Sequence, residues 1–371
     1  MDSDLQKAIE QLPEIPDKAA LSYKQHLGEM VEKVNKRMSR RPDLNLLTGD
    51  NPLRMMFDNH KNHAVFMSNV FSLNEYPLLL NTIPWVYRVY HGHGFSFDYF
   101  PAHLRTWREV LEETLEPEDA ACLVALYDWI ISRHEDFIRL SKQFVQRASE
   151  PARPWRPVYQ EFLQCLLKAD RHGAMALAEE AVPDLSGLNP FYINVVQPAM
   201  HAVGSMWESG EVSVAKEHLA SAIVNRIMSA QYIKLMESPE NFRAKAVVTA
   251  GANEFHEIGP TMVANALEAE GWDVTFLGAN TPVGELLEYA SAQEFDLVAI
   301  SATIPFNLED IQNVIRGIRA WPRDKQPRIM VGGQAFADYP ELARKFGADG
   351  FAEDSSQAVA LAEKWLKADG K

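Results

Sequence analysis

Cysteine is scarce in this chain. Cys122 and Cys165 are the two in 371 residues, and they lie far apart on helical patterns. They read as buried thiols of a reducing cytoplasm rather than as a disulfide framework. A covalent chromophore linkage to Cys122 is the alternative use. Long apolar runs are missing too. None approaches the ~18–20 residues needed to cross a bilayer. The opening MDSDLQKAIEQL is acidic and amphipathic, without the basic-then-apolar layout of a secretion signal. A cytoplasmic location is therefore expected. Positive charge is in deficit: 36 Lys and Arg stand against 51 Asp and Glu, a net −15. That surface repels phosphate backbones and anionic headgroups, so neither nucleic acid nor a membrane is an expected partner.

What is present fits two or three domains, since the chain is too long for one ordinary core. Residues 1–146 read as helical, with apolar residues at helical spacing in LGEMVEKVNKRM, AVFMSNVFSL and ACLVALYDWIISRHEDFIRL. Pro77, Pro84, Pro101 and Pro117 punctuate those helices. Residues 147–154 (RASEPARP) read as a linker. Residues 155–240 carry four helix-length patterns, enough for a small bundle. Residues 243–368 change rhythm. The runs AKAVVTA, DVTFLGA, DLVAISAT, RIMVGG and the weaker ADGFAED alternate with helical patterns. This β–α alternation predicts a parallel sheet with helices on both faces and a ligand at the C-terminal strand ends.

Three pieces of chemistry fall at those ends. The first run leads into Gly251-Ala252-Asn253-Glu254-Phe255-His256-Glu257-Ile258-Gly259. An imidazole on such a loop faces the ligand crevice, and its neutral ring is a good donor to a transition metal. The carboxylate of Glu254 can take the other ring N–H, fixing the tautomer. Ser301-Ala302-Thr303 is expected to end the third strand, and Gly332-Gly333 the fourth. Hydroxyls and glycines there are expected to leave a slot between sheet and helix.

These motifs resemble those of the cobalamin-binding domain of methionine synthase, B12-dependent mutases and B12 light sensors. The family pattern is Asp-x-His-x-x-Gly, then Ser-x-Leu, then Gly-Gly. Here Glu254 replaces the Asp and Thr303 the Leu. The resemblance implies a base-off cobalamin with His256 on the cobalt and the nucleotide tail in the slot. Ahead of that domain, Trp207 is followed after nine residues by Glu217-His218, across a break at Gly210 and Ser213. This resembles the helical cap of adenosylcobalamin-dependent sensors of the CarH type. There the Trp packs over the adenosyl group and the Glu-His pair contacts it. One departure is Glu208, which stands where those sensors place a second cobalt-ligating His. His201 or His218 is then left to substitute, or water.

The N-terminal segment does not resemble the DNA-binding element of those sensors. Its histidines His60, His63, His91 and His93 lie among aromatics such as Tyr99, with Arg54, Arg88 and Arg105 nearby. A metal site built on His91 and His93, and a haem pocket on a globin-like helix, are two readings. A bilin is a third: aromatic walls, histidines for the pyrroles and arginines for the propionates. Helices of this kind joined to a B12 sensor domain resemble the photocobilins, which bind B12 and biliverdin together.

The expected architecture is thus α/β plus all-α. A Rossmann-like cobalamin-binding sheet follows a four-helix cap and an N-terminal helical, globin-like domain. The expected function is light sensing without catalysis, since no catalytic domain is legible after residue 368. Cobalamin and a bilin are the expected ligands, with a homo-oligomer and a downstream protein as partners. The first alternative is a corrinoid carrier for methyl transfer, and the second is a B12-dependent mutase subunit, which would need a partner subunit to supply its substrate barrel.

Overall fold

The aromatic-rich first third folds as helices because its apolar residues recur every three or four positions, and Pro77, Pro101 and Pro117 fall in first turns, whereas Pro84 does not break its helix and lies inside it. The computed structural model describes residues 3–143, 150–237 and 242–368, so part of the expected linker (147–149) lies outside them. The first unit contains α1 (Ser3–Ile9), α2 (Asp17–Met38), α3 (Leu44–Thr48), α4 (Leu53–Leu73), α5 (Pro77–Gly92), α6 (Tyr99–Thr114), α7 (Pro117–Ser132) and α8 (His134–Gln143). It also includes Glu208–Gly210. Pro77 and Pro117 open their helices, where the missing N–H costs nothing. Tyr23, Tyr99, Trp107, Tyr127 and Phe137 are fully buried in its core.

The second unit begins with helices. They are α9 (Arg156–Leu167), α10 (Arg171–Ala181), α11 (Leu188–Phe191), α12 (Gln197–Glu208) and α13 (Val214–Met236). A π-helical turn, Tyr192–Val196, joins α11 to α12, so these two make one of the four expected helices. Such a turn adds a residue to the helical repeat and re-aims the helix beyond it. Phe162, Phe191, Val195, Val203, Val224 and Ile227 form the core of this bundle.

The sheet comes next. Its elements are β1 (Ala244–Ala250), α14 (Ile258–Ala269), β2 (Trp272–Gly278), α15 (Val283–Gln293), β3 (Leu297–Ser301), α16 (Leu308–Arg319), β4 (Arg328–Gly332), α17 (Gln334–Ala337), α18 (Glu341–Phe346), β5 (Gly350–Ala352) and α19 (Ser355–Ala368). The strand order is β2-β1-β3-β4-β5, and every pairing is parallel. Ala246, Val247 and Val248 are all buried, as expected of a strand covered on both faces. The chain leaves β1 for one neighbour and later returns on its other side. β1 and β3 therefore flank the switch point where such sheets bind ligands. The α/β plus all-α expectation is what the fold shows.

Two details differ from expectation. Cys122 and Cys165 are free but only half-buried, and lost hydration pushes both thiols up. Thr303 lies past the end of β3, which stops at Ser301. Among the described residues, no helix is long and apolar enough to cross a membrane.

The contact of α13 with α14 holds a titration. Tyr232 donates to Glu268 at 3.3 Å. Partial burial, with Asp273 adding, raises the Glu268 carboxyl to about 7, while the Tyr232 bond lowers it. The folded state therefore holds a proton the unfolded chain releases near its ordinary carboxylate value. Stability must fall as pH rises from there through about 7. Glu268→Gln is expected to raise the thermal midpoint by about 2 °C at pH 8 and to leave it unchanged at pH 4. An equal shift at both pH values would remove the titration as the cause.

Candidate functional site

After β1 the chain turns through Gly251–Glu257, and that turn is fastened from several sides. Gly251 N donates to Ser301 O at 3.1 Å, tying it to the end of β3. Asn253 sits in the left-handed region (φ 58°), and its N–H donates to Asn280 Oδ1 at 2.8 Å. Asn280 is left-handed too (φ 57°) and donates its own N–H to Glu254 O at 2.8 Å. Asparagine enters that region more readily than other residues with a side chain. The loops after β1 and β2 thus lock one another, a role for Asn253 and Asn280 that the motifs did not signal.

Glu254 is the centre of the arrangement and is 1% exposed. Its Oε1 lies 2.5 Å from His256 Nδ1 and accepts from His256 N at 3.1 Å. Its Oε2 accepts from Thr303 N at 2.6 Å and Ile304 N at 3.2 Å. Burial pushes the carboxyl up. The His256 ring and the backbone donors outweigh it and hold the group lower than usual, so it is ionised. Glu254 therefore does more than the expected support of the histidine. It spans the switch point and pins the start of the loop after β3. Thr303 takes part through its backbone N–H.

A carboxylate on Nδ1 requires the proton there, which leaves the lone pair on Nε2. The His256 side chain is 57% exposed. Partial burial lowers its pKa, but the bond to Glu254 and the charges of Glu254 and Glu217 raise it on balance. An exposed imidazole with Nε2 available at a switch point suits the axial position of a transition metal.

The glycines divide into two kinds. A methyl at Gly259, in the first turn of α14, would meet no heavy atom within 4 Å. A methyl at Gly332 would stand 2.9 Å from Ala352 O, and one at Gly333 (φ 89°) would fall on the backbone of Ala302. Open space beside the helix thus lies at Gly259. Gly332 and Gly333 are demanded by close packing of the β3, β4 and β5 backbones, not by a slot alone.

The helices before the sheet reach this loop. Ser213 caps α13, accepting from Lys216 N. Glu217, in its first turn, accepts from Ser221 Oγ at 2.8 Å and from His218 Nδ1 at 2.6 Å. Further along α13, Asn225 Nδ2 donates to Glu257 Oε1 at 2.8 Å, beside His256. Asn265 Nδ2 donates to Tyr192 OH at 2.9 Å, tying α14 to the π-helical turn. Trp207 is half-buried near the end of α12, and Gly210 (φ 80°) makes the turn after it. Glu217 is close enough to His256 for its charge to matter there. His218 is 73% exposed and turned to Glu217.

In the first unit the predicted histidines separate. His60 and His63 come together around His103, which the sequence did not single out. The His60 and His103 rings stack at 4.9 Å, and His63 meets His103 edge-on at 4.6 Å. Tyr99 stacks on His103 at 5.5 Å and donates to Asn59 Oδ1. His60 Nδ1 lies 2.6 Å from Asn35 Oδ1, and His63 Nε2 2.9 Å from Tyr127 OH. Lost hydration draws His60 and His63 down to about 3 and His103 well below the usual imidazole range, so all three are neutral. His91 instead stacks on Phe97 at 3.9 Å. His93 stands at the C-terminal end of α5, where lost hydration lowers its pKa. Arg88 lies 3.8 Å from Glu208, whose other oxygen accepts from Trp85 Nε1 at 2.7 Å. Glu208, at the place of the sensors' second histidine, is thus engaged by Trp85. Among the described residues no group of three or more His, Cys, Asp or Glu has the geometry to hold a metal.

A family model described as "B12 binding domain" matches residues 244–361, and another of that description matches residues 158–231. Dimethylamine corrinoid protein 3 of Methanosarcina acetivorans is 30% identical over 176 residues, 45% of this chain and 78% of that protein. The chain belongs to the B12-binding corrinoid proteins. Its cofactor is therefore a cobalamin-type corrinoid, and the second unit is the part that matches. The dimethylamine corrinoid protein of Methanosarcina barkeri is 24% identical over 212 residues, 56% of this chain and 96% of that one. The HTH-type transcriptional repressor CarH of Myxococcus xanthus is 29% identical over 201 residues, 53% of this chain and 65% of CarH. The corrinoid fold itself is shared with the monomethylamine corrinoid protein of M. barkeri. That structure matches with a TM-score of 0.50 at 18% identity, covering 57% of this chain and 99% of that one.

Proposed function

We propose that this corrinoid protein is a photoreceptor. It binds adenosylcobalamin base-off with His256 as lower ligand, carries biliverdin in its N-terminal helices, and signals through a change in quaternary structure or partner contact. The observation that carries the reading is the joining of α13 to the His256 loop through Asn225 and Glu257 at 2.8 Å, with Glu217 and His218 in the first turn of that helix and Trp207 near the end of α12 before it. Adenosylcobalamin supplies a cobalt–carbon bond that visible light breaks. Around it, Glu254 holds His256 in the donor tautomer, and Gly259 leaves room for the nucleotide tail beside Ser301 and Thr303. Trp207 would screen the adenosyl group, and Glu217 and His218 would hydrogen-bond its polar atoms. Loss of that group would remove contacts to Trp207, Glu217 and His218 and so would shift the population of the cap. The 29% identity to CarH supports the sensor reading.

The bilin rests on the first unit. His60 Nε2, His103 Nδ1 and Trp107 Nε1 are buried there without a hydrogen-bond partner among the described residues. Buried polar atoms seldom stay unpaired. Neutral imidazoles within aromatic walls fit an open-chain tetrapyrrole, with His60, His63 and Tyr99 nearest and His91, His93 and Arg88 at the far end of α5. A second reading, a corrinoid carrier for methyl transfer, is supported by the dimethylamine corrinoid proteins, of which the M. barkeri one is matched over 96% of its length.

The test adds adenosylcobalamin in the dark, and biliverdin separately, to the purified chain. Absorption spectra and size-exclusion profiles are recorded before and after green light. The sensor is expected to show a base-off, His-ligated spectrum, a far-red bilin band and a light-dependent change in size. Tight binding of methylcobalamin alone, with no change in size under light, replaces it with the carrier.

A further inference from the structure

Four arginines converge on one cavity of the first unit, away from the histidine cluster. Arg37 lies in the last turn of α2, Arg40 and Arg41 come just after it, and Arg105 comes from α6. With Thr106 and Glu109 they line a cavity of about 400 Å³. In a chain of net charge −15 such a concentration of cations calls for a cause. The negative C-terminal end of α2 accounts for a basic residue in its last turn. It does not account for Arg105, which stands in the middle of another helix.

The pairing is incomplete. Arg37 is met by Glu109 at 3.3 Å and by Glu113, and Arg41 by both oxygens of Asp43 at 3.0 and 2.8 Å. Among the described residues no carboxylate pairs with Arg40 or Arg105. Glu109 and Glu113 are more than half exposed, so their bonds to Arg37 are weak and easily exchanged. The floor is fixed: buried Thr106 spends its hydroxyl on Ala102 O at 2.9 Å and on Met38 Sδ.

We propose that this cavity binds the diphosphate group of a small organic molecule. Guanidinium forks match phosphate oxygens in pairs, and Arg is the residue suited to such contacts. A carboxylate ligand would bring one negative charge to the two guanidiniums that lack a carboxylate, whereas a diphosphate offers three or more negative charges on adjacent oxygens. The volume lies within the usual ~300–1,000 Å³ of small-ligand sites, so an organic portion fits beside the diphosphate. Arg40 and Arg105 are the primary donors, and Arg37 and Arg41 exchange their carboxylates for the ligand.

The experiment is calorimetric titration of the full chain with pyrophosphate and with ADP at low, matched ionic strength. The expected result is saturable binding of both at one site, weakened at least tenfold in the double variant R40A/R105A. The circular-dichroism spectrum and thermal midpoint of that variant are expected to match the unaltered chain, which establishes that the helices of the first unit are folded. Absence of saturable pyrophosphate binding, or equal binding by the variant, overturns the proposal. Equal affinity for sulfate also overturns it, because charge alone then explains the binding. Exclusion of ADP removes the organic portion. Displacement of pyrophosphate by biliverdin overturns it as well, because the arginines would then be serving propionates.

Discussion

Glu254→Ala is expected to weaken cobalamin binding about 10–100-fold, the range seen when the group supporting a metal-bound histidine is removed. It is also expected to destabilise the chain without any cofactor. The substitution leaves the N–H groups of Thr303, Ile304 and His256 without their acceptor. Unmet buried donors cost about 1–3 kcal/mol each, and water reaching the exposed side of the loop reduces the sum to about 3 kcal/mol. For a unit of this size that lowers the thermal midpoint by roughly 6–10 °C. His256→Ala is the contrasting variant. Its ring is more than half exposed and its loss leaves the loop pinned. The cofactor-free midpoint should move by no more than about 1 °C, while the spectrum of bound cobalamin loses its histidine signature. Should both variants shift the midpoint alike, Glu254 is not the pin across the switch point. Glu254→Asp, the residue more usual in this motif, separates the two roles. It is one methylene shorter and cannot reach His256 and Thr303 together, so it should keep the histidine signature and still lose stability.

Gly333→Ala is expected to leave little folded second unit. The residue has φ 89°, which costs an alanine about 1 kcal/mol by itself. The added methyl also falls on the carbonyl of Ala302. That peptide cannot step aside, because Ala302 N donates to Gly332 O at 2.9 Å and Ala302 O accepts from Ala335 N at 3.1 Å. Moving it breaks the contact between β3 and β4, for a total of about 4 kcal/mol or more. Circular dichroism on heating would record a lower, broader transition. Gly259→Ala is its opposite. The methyl there meets open space, so the cofactor-free midpoint should hold or rise slightly with the better helix former. Cobalamin affinity should nevertheless fall, because the methyl occupies room the nucleotide tail requires. Unchanged affinity would place the tail elsewhere.

Much of this molecule is written in short-range pattern. Alternating β and helical runs after residue 243 determine a parallel sheet, because strands with helix-length connections cannot pair otherwise. The loop Glu254–His256 after the first run determines where an imidazole stands, since a strand end faces the crevice. Scarce cysteine and net acidity bear on chemistry through counting alone. Strand order is another matter. Nothing near residue 254 says that β3 rather than β2 lies on the side where its carboxylate reaches. That carboxylate accepts from backbone N–H groups 49 and 50 residues away, which carry no side-chain signal. Gly332 and Gly333 read as a slot because sequence shows small residues without showing what they pack against. The three-dimensional fold alone supplies Ala302 and Ala352 as that neighbour. His103 escaped notice for a related reason. It is 40 residues from His63, and only the packing of the first unit brings their rings edge to face, while His91, which is closer in sequence, stacks on Phe97. Local pattern fixes which residues share a helix face or strand end. Which faces and ends then meet is decided by burial and backbone pairing over the whole unit, because those energies belong to contacts between residues distant in the chain.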